Sequence, residues 1–351
     1  MTAAAETGRA PAASTHRSAR ARRKSELTGR DRVVRGLLAV AAVMPAAALG
    51  FLAYQMVKEA YPAVLFNGWH FFTTRTFDLG NLYGSTVTRH GFKGAAGARY
   101  GILAMLFGTV VSSLLALALA LPVAVGGAIL LVEKLPGRLQ APLGVFLELL
   151  AGIPSVVFGL WGIYALGPLL SRTVYRWIAD LRIPWLRGNP GHGQGLLTAS
   201  VVLAVMIIPI IASITRELVE SVPETTKEAA AALGLTPFET VRFVTIPYVR
   251  TGILAAAVLG WGRALGETIA VLIISADQLA IPRDVFDPFS TMAATIAATV
   301  DSALTDATGM ALHSLAEVAL VLLAITLATN FGGRLLARRF SGQALPVGRG
   351  V

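Results

Sequence analysis

Six long apolar runs constrain this chain before any other feature does. They occupy residues 33–57, 100–132, 142–170, 196–216, 251–274 and 311–333 of the 351. A helix needs ~20 apolar residues to cross a bilayer, and lipid offers no partner to an unpaired backbone group. The runs therefore predict an all-α integral membrane protein with six transmembrane helices. Composition agrees: 55% of residues are hydrophobic and 14% charged, whereas a soluble domain carries about a quarter charged. A disordered chain and an ordinary soluble enzyme are both excluded for most of the length. There is no cysteine, which removes disulfides, thiolate catalysis and cysteine-zinc sites.

Two runs are irregular. The second holds Pro122 and Gly126-Gly127 and exceeds a bilayer in length, so it is expected to kink or to continue past the membrane. The third contains Gly152-Ile153-Pro154-Ser155. Proline removes a helix hydrogen bond, so a break there should face protein or a water-filled path.

Around the runs the chain divides into a basic tail at 1–32, a transmembrane domain at 33–340 and a short tail at 341–351. The first tail has the composition of a disordered cytoplasmic segment. A transit peptide is similar in composition, and Arg22-Arg23 lacks the context of a twin-arginine signal. The formal net charge of +10 would suggest nucleic acid in a soluble protein; here it reports membrane flanks, and no nucleic-acid partner is expected. Stretches 1–35, 133–141, 216–250 and 334–351 hold 19 Arg and Lys, against ten in 58–99, 171–195 and 275–310. The positive-inside rule then places both termini in the cytoplasm. On the outer side Tyr61, Phe66, Trp69, Phe71, Phe72, Phe77, Trp177 and Trp185 read as interfacial anchors among membrane lipids. Loop 78–99, with Arg89, His90 and Lys93, receives no role.

The stretch 217–250 is the most informative. Ser221-Val222-Pro223-Glu224 has the form of a capping box with proline at the first helical position. Gly234 suits a left-handed C-terminal cap. Thr236-Pro237-Phe238-Glu239 repeats the start signal, and the second helix is expected to stop before Pro247. The result is two short helices joined by a tight turn, fixed at both ends to membrane spans. The order Glu228-Ala229-Ala230, Gly234, Val244-Thr245-Ile246-Pro247 resembles the EAA loop of ABC-importer permeases, EAA-x3-G-x9-I-x-L-P. The resemblance implies that Glu228, Ala229, Ala230, Gly234 and Pro247 belong to a coupling hairpin that docks on an ATPase subunit. The chain has no Gly-Lys pair, so it lacks the phosphate-cradling loop of such ATPases. No cofactor is expected in it; ATP and magnesium would be held by the partner.

Trp261-Gly262-Arg263-Ala264-Leu265-Gly266-Glu267-Thr268 sets two charges in the middle of the fifth run. A charge at the bilayer centre costs at least ~2.5–3.5 kcal/mol. Arg263 and Glu267 are four apart, share a helix face and can pair. That leaves two readings, a structural ion pair or the lining of a path for a charged substrate. Arginine suits an oxyanion, because its planar fork binds two oxygens at once. A carboxylate beside it can accept a hydrogen bond from a protonated oxyanion. Glu148 and Glu317 also lie within or beside spans; either could line the path, but both read first as solvated helix ends. Nothing gathers into a metal site.

Gly262-Arg263-Ala264-Leu265-Gly266-Glu267-Thr268, the segment Glu148–Gly162 and Glu59-Ala60-Tyr61-Pro62-Ala63 together resemble the phosphate-specific (Pst) importer permeases, on the pattern of the PstC-type subunit. The resemblance runs from about residue 33 to 340. It implies a type I ABC importer permease in a bacterial plasma membrane, non-catalytic in itself. It further implies a PstA-type second permease, two PstB-type ATPase subunits and an extracytoplasmic PstS-type phosphate-binding protein. Arg263 and Glu267 would line the substrate path. The alternatives are a PstA-type subunit, a permease for sulfate or molybdate, an intramembrane enzyme using Glu148 or Glu267, and a passive anion channel.

Overall fold

The computed structural model describes residues 29–181, 183–275 and 278–341. The tail expected at 1–32 lies outside them up to residue 28, and that at 341–351 from residue 342. Two compact units divide between Gln55 and Met56. Helix α1 (Gly29–Asn67) supplies the described part of the first; its apolar side chains from Val33 to Leu52 are exposed. The remaining features belong to the second unit.

After α1 come a short helix α2 (His70–Thr73) and four strands, β1 (Phe77–Asp78), β2 (Asn81–Arg89), β3 (Phe92–Ala96) and β4 (Arg99–Tyr100). The helices that follow are α3 (Leu103–Glu133), α4 (Gly137–Ala151), α5 (Ser155–Trp161), α6 (Gly167–Arg172), α7 (Val174–Asp180) and α8 (Leu196–Glu220). Then come α9 (Glu224–Ala232), α10 (Pro237–Thr240), α11 (Ile246–Leu265), α12 (Ile269–Ser275), α13 (Met292–Ala303) and α14 (Met310–Ser341). Helix α8 is the hub: Leu196, Leu203, Ile207 and Ile211 are fully buried, and α3, α4, α11 and α12 pack around it. Helix α3 packs closest, through the small residues Ala116, Ala120 and Ala124. Its 31 residues extend about 46 Å at about 1.5 Å each, past the ~30 Å hydrocarbon core. Gly108 is required on it, since a Cβ there would strike the Ser290 carbonyl.

Among the described residues six helical stretches are long and apolar enough to cross a membrane, but the third and fifth differ from the sequence expectation. The run 142–170 is not one helix. It breaks at 152–154, leaving α4 separate, and the span is Ser155–Arg172, with a π-helical turn Gly162–Leu166 linking α5 to α6. The fifth span begins earlier than expected, at Pro237, and ends at Leu265. The chain does not stop before Pro247: a π-helical turn, Val241–Thr245, carries α10 into α11, and Pro247 falls in the first turn of α11. Pro168 stands in the same way after the other π turn. A π turn shifts the bonding by one residue, and a first-turn proline wastes no donor.

At the end opposite the α9–α10 hairpin, residues 78–99 form antiparallel pairs rather than a loop: β1 with β4, and β2 with β3. His90 and Gly91 make the β2–β3 turn, both at positive φ (51° and 84°), as a two-residue hairpin requires. Phe66, Phe71 and Phe77, expected as interfacial anchors, are instead core residues, packed with Tyr100, Ile102 and Met105. The short strands and α2 fold these rings inward, while Tyr61, Trp69, Phe72, Trp177 and Trp185 stay exposed. Glu317 also departs from expectation. It is buried rather than solvated, because the Asn67 amide donates to its carboxylate at 2.8 Å and so ties α1 to α14.

Asp306 closes the turn before α14. Burial opposes its charge, but the amides of Ala311, Thr308 and Met310 and the Thr308 hydroxyl outweigh that and hold the carboxyl below the ordinary carboxylate range. A lowered folded-state pKa gives stability that is complete above the unfolded value of about 4 and is lost as pH falls through the folded value. The melting-temperature advantage of the parent chain over Asp306→Asn should therefore hold above about pH 5 and shrink as pH falls below about 4. An advantage independent of pH would contradict this.

Candidate functional site

Two features of the sequence carry chemistry, and the structure joins them through one stretch of helix. The first is the hairpin. Helix α9 starts at Glu224 with Pro223 as its N-cap, and no side-chain cap bond forms there. The expected capping box at Ser221 is thus absent, and the Ser221 hydroxyl donates to the Leu218 carbonyl instead. The second box is present: Thr236 Oγ1 accepts from the Glu239 amide, and the Glu239 carboxylate accepts from the Thr236 amide at 2.8 Å. Gly234 is left-handed at φ +84° with open space around it, which satisfies the C-terminal cap of α9.

Lys227 fixes the hairpin to the rest of the molecule. Its ammonium lies 2.9 Å from the Glu133 carboxylate at the end of α3 and 3.6 Å from that of Glu224. Beside it lies a pocket of about 240 Å³ lined by Glu133, Glu224, Glu228 and Leu235, among others. Val222 packs with Val219 and Val249 at the base. Of the residues expected to couple, Glu228, Ala229, Gly234 and Pro247 are exposed, whereas Ala230 is buried within the hairpin. Leu233 (82% exposed) and Phe238 (70%) stand out on the tip. Sequence reasoning passed over these two; a large apolar residue on each side of a turn glycine was the available signal.

The second feature is a pair of broken helices. Helix α11 ends at Leu265, and α12 begins at Ile269. Arg263 sits in the last turn of α11, exposed, and Glu267 lies half-buried in the break. Each charge thus occupies the helix end that its sign favours, a cation at a C-terminus and an anion at an N-terminus. The Glu267 carboxylate accepts from the Ala270 amide at 3.4 Å. The two do not lie on one continuous helix face, and among the described residues neither takes part in an ion pair within 4.0 Å. The structural-pair reading therefore finds no bond to support it. The Trp261 indole donates to Ser113 Oγ at 3.0 Å, and Gly260 lies against Ile211, which fixes α11 against α3 and α8.

The other break, at Gly152–Pro154, belongs to the same locality. The pieces that follow the two breaks, α5 and α12, lie side by side. A Cβ on Gly159 would come 3.0 Å from Ala270 Cα, and one on Gly162 would come 2.7 Å from the Ile274 side chain. Broken helices at membrane depth are tolerated where they meet protein or line a water-filled cavity. An unpaired guanidinium at such a break can bind an oxyanion through two parallel hydrogen bonds.

Broken spans around a buried hub, with a capped hairpin continuous with one of them, define a membrane-embedded transport component. A family model described as binding-protein-dependent transport system inner membrane component matches residues 118–342. Within that class the chain belongs to the family of the phosphate transport system permease protein PstC. It is 48% identical over 324 residues to phosphate transport system permease protein PstC 1 of Mycobacterium tuberculosis, covering 91% of this chain and 96% of that one. It is 37% identical over 321 residues to the PstC of Mesorhizobium japonicum, covering 90% and 91%. Among solved structures, a bacterial ABC transporter that imports the acidic polysaccharide alginate gives a TM-score of 0.54 at 15% identity, over 88% of this chain and 97% of that one. The MetNI methionine ABC transporter, inward facing, gives 0.50 at 18% identity, over 68% and 95%. At these identities the likeness is one of fold, that of type I importer permeases.

Proposed function

We propose that this chain is one of two permease subunits of an ATP-driven importer of inorganic phosphate. Membership of the PstC family supports the substrate. The observation that carries the mechanism is the unbroken helical stretch from Pro237 to Leu265, with the hairpin at one end and Arg263, without an ion pair among the described residues, at the other. In this reading Arg263 attracts the anion, and Glu267 accepts the proton-bearing oxygen of hydrogen phosphate and balances the charge. Glu228, Ala229, Ala230, Gly234 and Pro247 shape the surface on which an ATPase subunit docks.

The remaining parts follow from the same reading. Both termini and the hairpin lie in the cytoplasm, as the excess of Arg and Lys on that side supports. The chain makes no covalent bond in the reaction and holds no cofactor; two ATPase subunits bind ATP and magnesium. A PstA-type permease supplies the other half of the path, and an extracytoplasmic phosphate-binding protein delivers the anion. Closure of the ATPase pair pushes on residues 221–246 and rocks the spans between outward and inward openings.

Reconstitution tests this directly. Proteoliposomes holding both permeases and the ATPase, supplied with the binding protein, should take up phosphate only with ATP. Uptake without the ATPase would mean a passive channel instead.

A further inference from the structure

Glu133 is the last residue of α3, a poor place for a carboxylate. The C-terminal end of a helix carries partial negative charge and disfavours an anion. The side chain is also only 16% exposed, and its Oε1 atom is closed off from water and accepts no hydrogen bond among the described residues. What offsets both costs is the Lys227 ammonium of α9, 14% exposed and 2.9 Å away. Removing one partner of a shielded pair leaves the other charge uncompensated, so each side chain holds the other in place.

The pair bridges a gap. The pocket of about 240 Å³ lies between the end of α3, at Glu133 and Lys134, and the hairpin residues Lys227, Glu228 and Ala231. Electrostatics rather than close packing therefore joins α9 to α3 at this point. Helices α8 and α11 reach the hairpin through the chain itself, whereas α3 leads into α4. The end of α3 is firm, because the Gln140 side-chain amide of α4 donates to the Val132 and Leu135 carbonyls at 3.2 and 2.9 Å.

The other end of this frame lies beside Arg263. Ser113 stands 20 residues before Glu133 on α3, about 30 Å away at about 1.5 Å per residue. Its hydroxyl accepts from the indole of Trp261, two residues before Arg263. Between these points Ala116, Ala120 and Ala124 seat α3 in the buried core, and α3 remains helical through Pro122. The hairpin, α11 and α3 are thus joined in a closed circuit: by the chain at the base of α11, by the indole near Arg263, and by the ion pair back to the hairpin.

We propose that Glu133 and Lys227 are positioning residues of the transport cycle, their ion pair a permanent brace that carries motion of the hairpin into α3 as well as α11. Both helices at Arg263 then move together. The proposal rests on the reading of this chain as an ATP-driven permease. Without the brace, α9 can be displaced while α3 stays behind, and ATP is hydrolysed without an anion being carried. At an effective dielectric of about 20, a unit charge pair in contact favours the braced arrangement at least about tenfold after its desolvation cost.

Proteoliposomes of the complete transporter, supplied with binding protein and ATP, give two rates: phosphate entering and ATP hydrolysed. Lys227→Met and Glu133→Gln should each lower the phosphate moved per ATP at least about tenfold, with ATP hydrolysis continuing and the ATPase still co-purifying. Lys227→Arg keeps the charge and the reach, and should keep the parent ratio. An unchanged ratio in Lys227→Met and Glu133→Gln overturns the brace. So does a lowered ratio in Lys227→Arg, and so does loss of the ATPase from the complex, which would make Lys227 part of the docking surface. A parent complex that takes up phosphate without ATP overturns the permease reading itself, before any variant is made.

A crosslink gives a reading that does not depend on how the single variants fold. The chain has no cysteine, so Glu133→Cys with Lys227→Cys places two thiols at this joint alone, in a complex whose other subunits lack reactive thiols. Phosphate moved per ATP should be low in the open double variant, return to the parent value on bridging with a short bifunctional methanethiosulfonate, and fall again on reduction. A bridged transporter that stays uncoupled, or that stops hydrolysing ATP, overturns the proposal, because the joint would then have to open in each cycle.

Discussion

Arg263→Gln should abolish phosphate uptake by the assembled transporter. Glutamine keeps much of the length and some hydrogen-bonding capacity but loses the charge and the two-pronged donor geometry. Two hydrogen bonds to a charged partner are worth ~1.5–3 kcal/mol each, so their loss corresponds to at least about a 100-fold fall. The side chain is exposed and forms no ion pair among the described residues. Folding should therefore survive the change, and co-purification of the ATPase serves as the control. Radiolabelled phosphate uptake decides the matter: unchanged uptake in a correctly assembled complex removes Arg263 from the path.

The second large effect is expected at the hairpin tip. Leu233 and Phe238 flank Gly234 and project apolar surface into solvent, a pattern typical of anchors in a protein interface. Placing a charge there, as Leu233→Asp or Phe238→Asp, removes a contact worth at least ~2 kcal/mol if it is a central anchor. The permease itself should be untouched, because both side chains stand clear of its core. Gly234→Arg acts by another route: the left-handed backbone at φ +84° is strained for any residue with a side chain, and a bulky cation then blocks close approach. Each change should abolish co-purification with the ATPase while leaving the amount of folded permease in the membrane unaltered. Retention of the ATPase by all three variants would mean that docking happens elsewhere.

Much of this architecture was legible in the residues, for physical reasons that also explain the failures. Span number follows from length and apolarity, because the bilayer sets both. The break at Gly152–Pro154 was readable because proline lacks a donor. The break at Gly266–Thr268 was not: glycine and threonine end a helix only weakly, and the apolar run continues across them to Ile274. Arg263 and Glu267 consequently looked like neighbours on one face, when each is placed at a separate helix end. Pro247 misled in the opposite direction, since a proline in the first turn after a π turn wastes no donor and does not end the helix. Phe66, Phe71 and Phe77 misled as well. Nothing in a loop sequence says which aromatic rings will find a partner such as Tyr100 and which will remain at the interface. Glu317 was misread because its partner, Asn67, is 250 residues away.

The π turn at Val241–Thr245, the hairpin and Arg263 together have a mechanical meaning. From Pro237 to Arg263 the backbone stays helical, a rod about 39 Å long at about 1.5 Å per residue. Tilting such a rod by about 10° from its foot swings its far end sideways by about 7 Å, wider than a phosphate ion. In the function proposed above, a modest rotation at the hairpin is thereby magnified at Arg263 into a stroke wider than the anion itself.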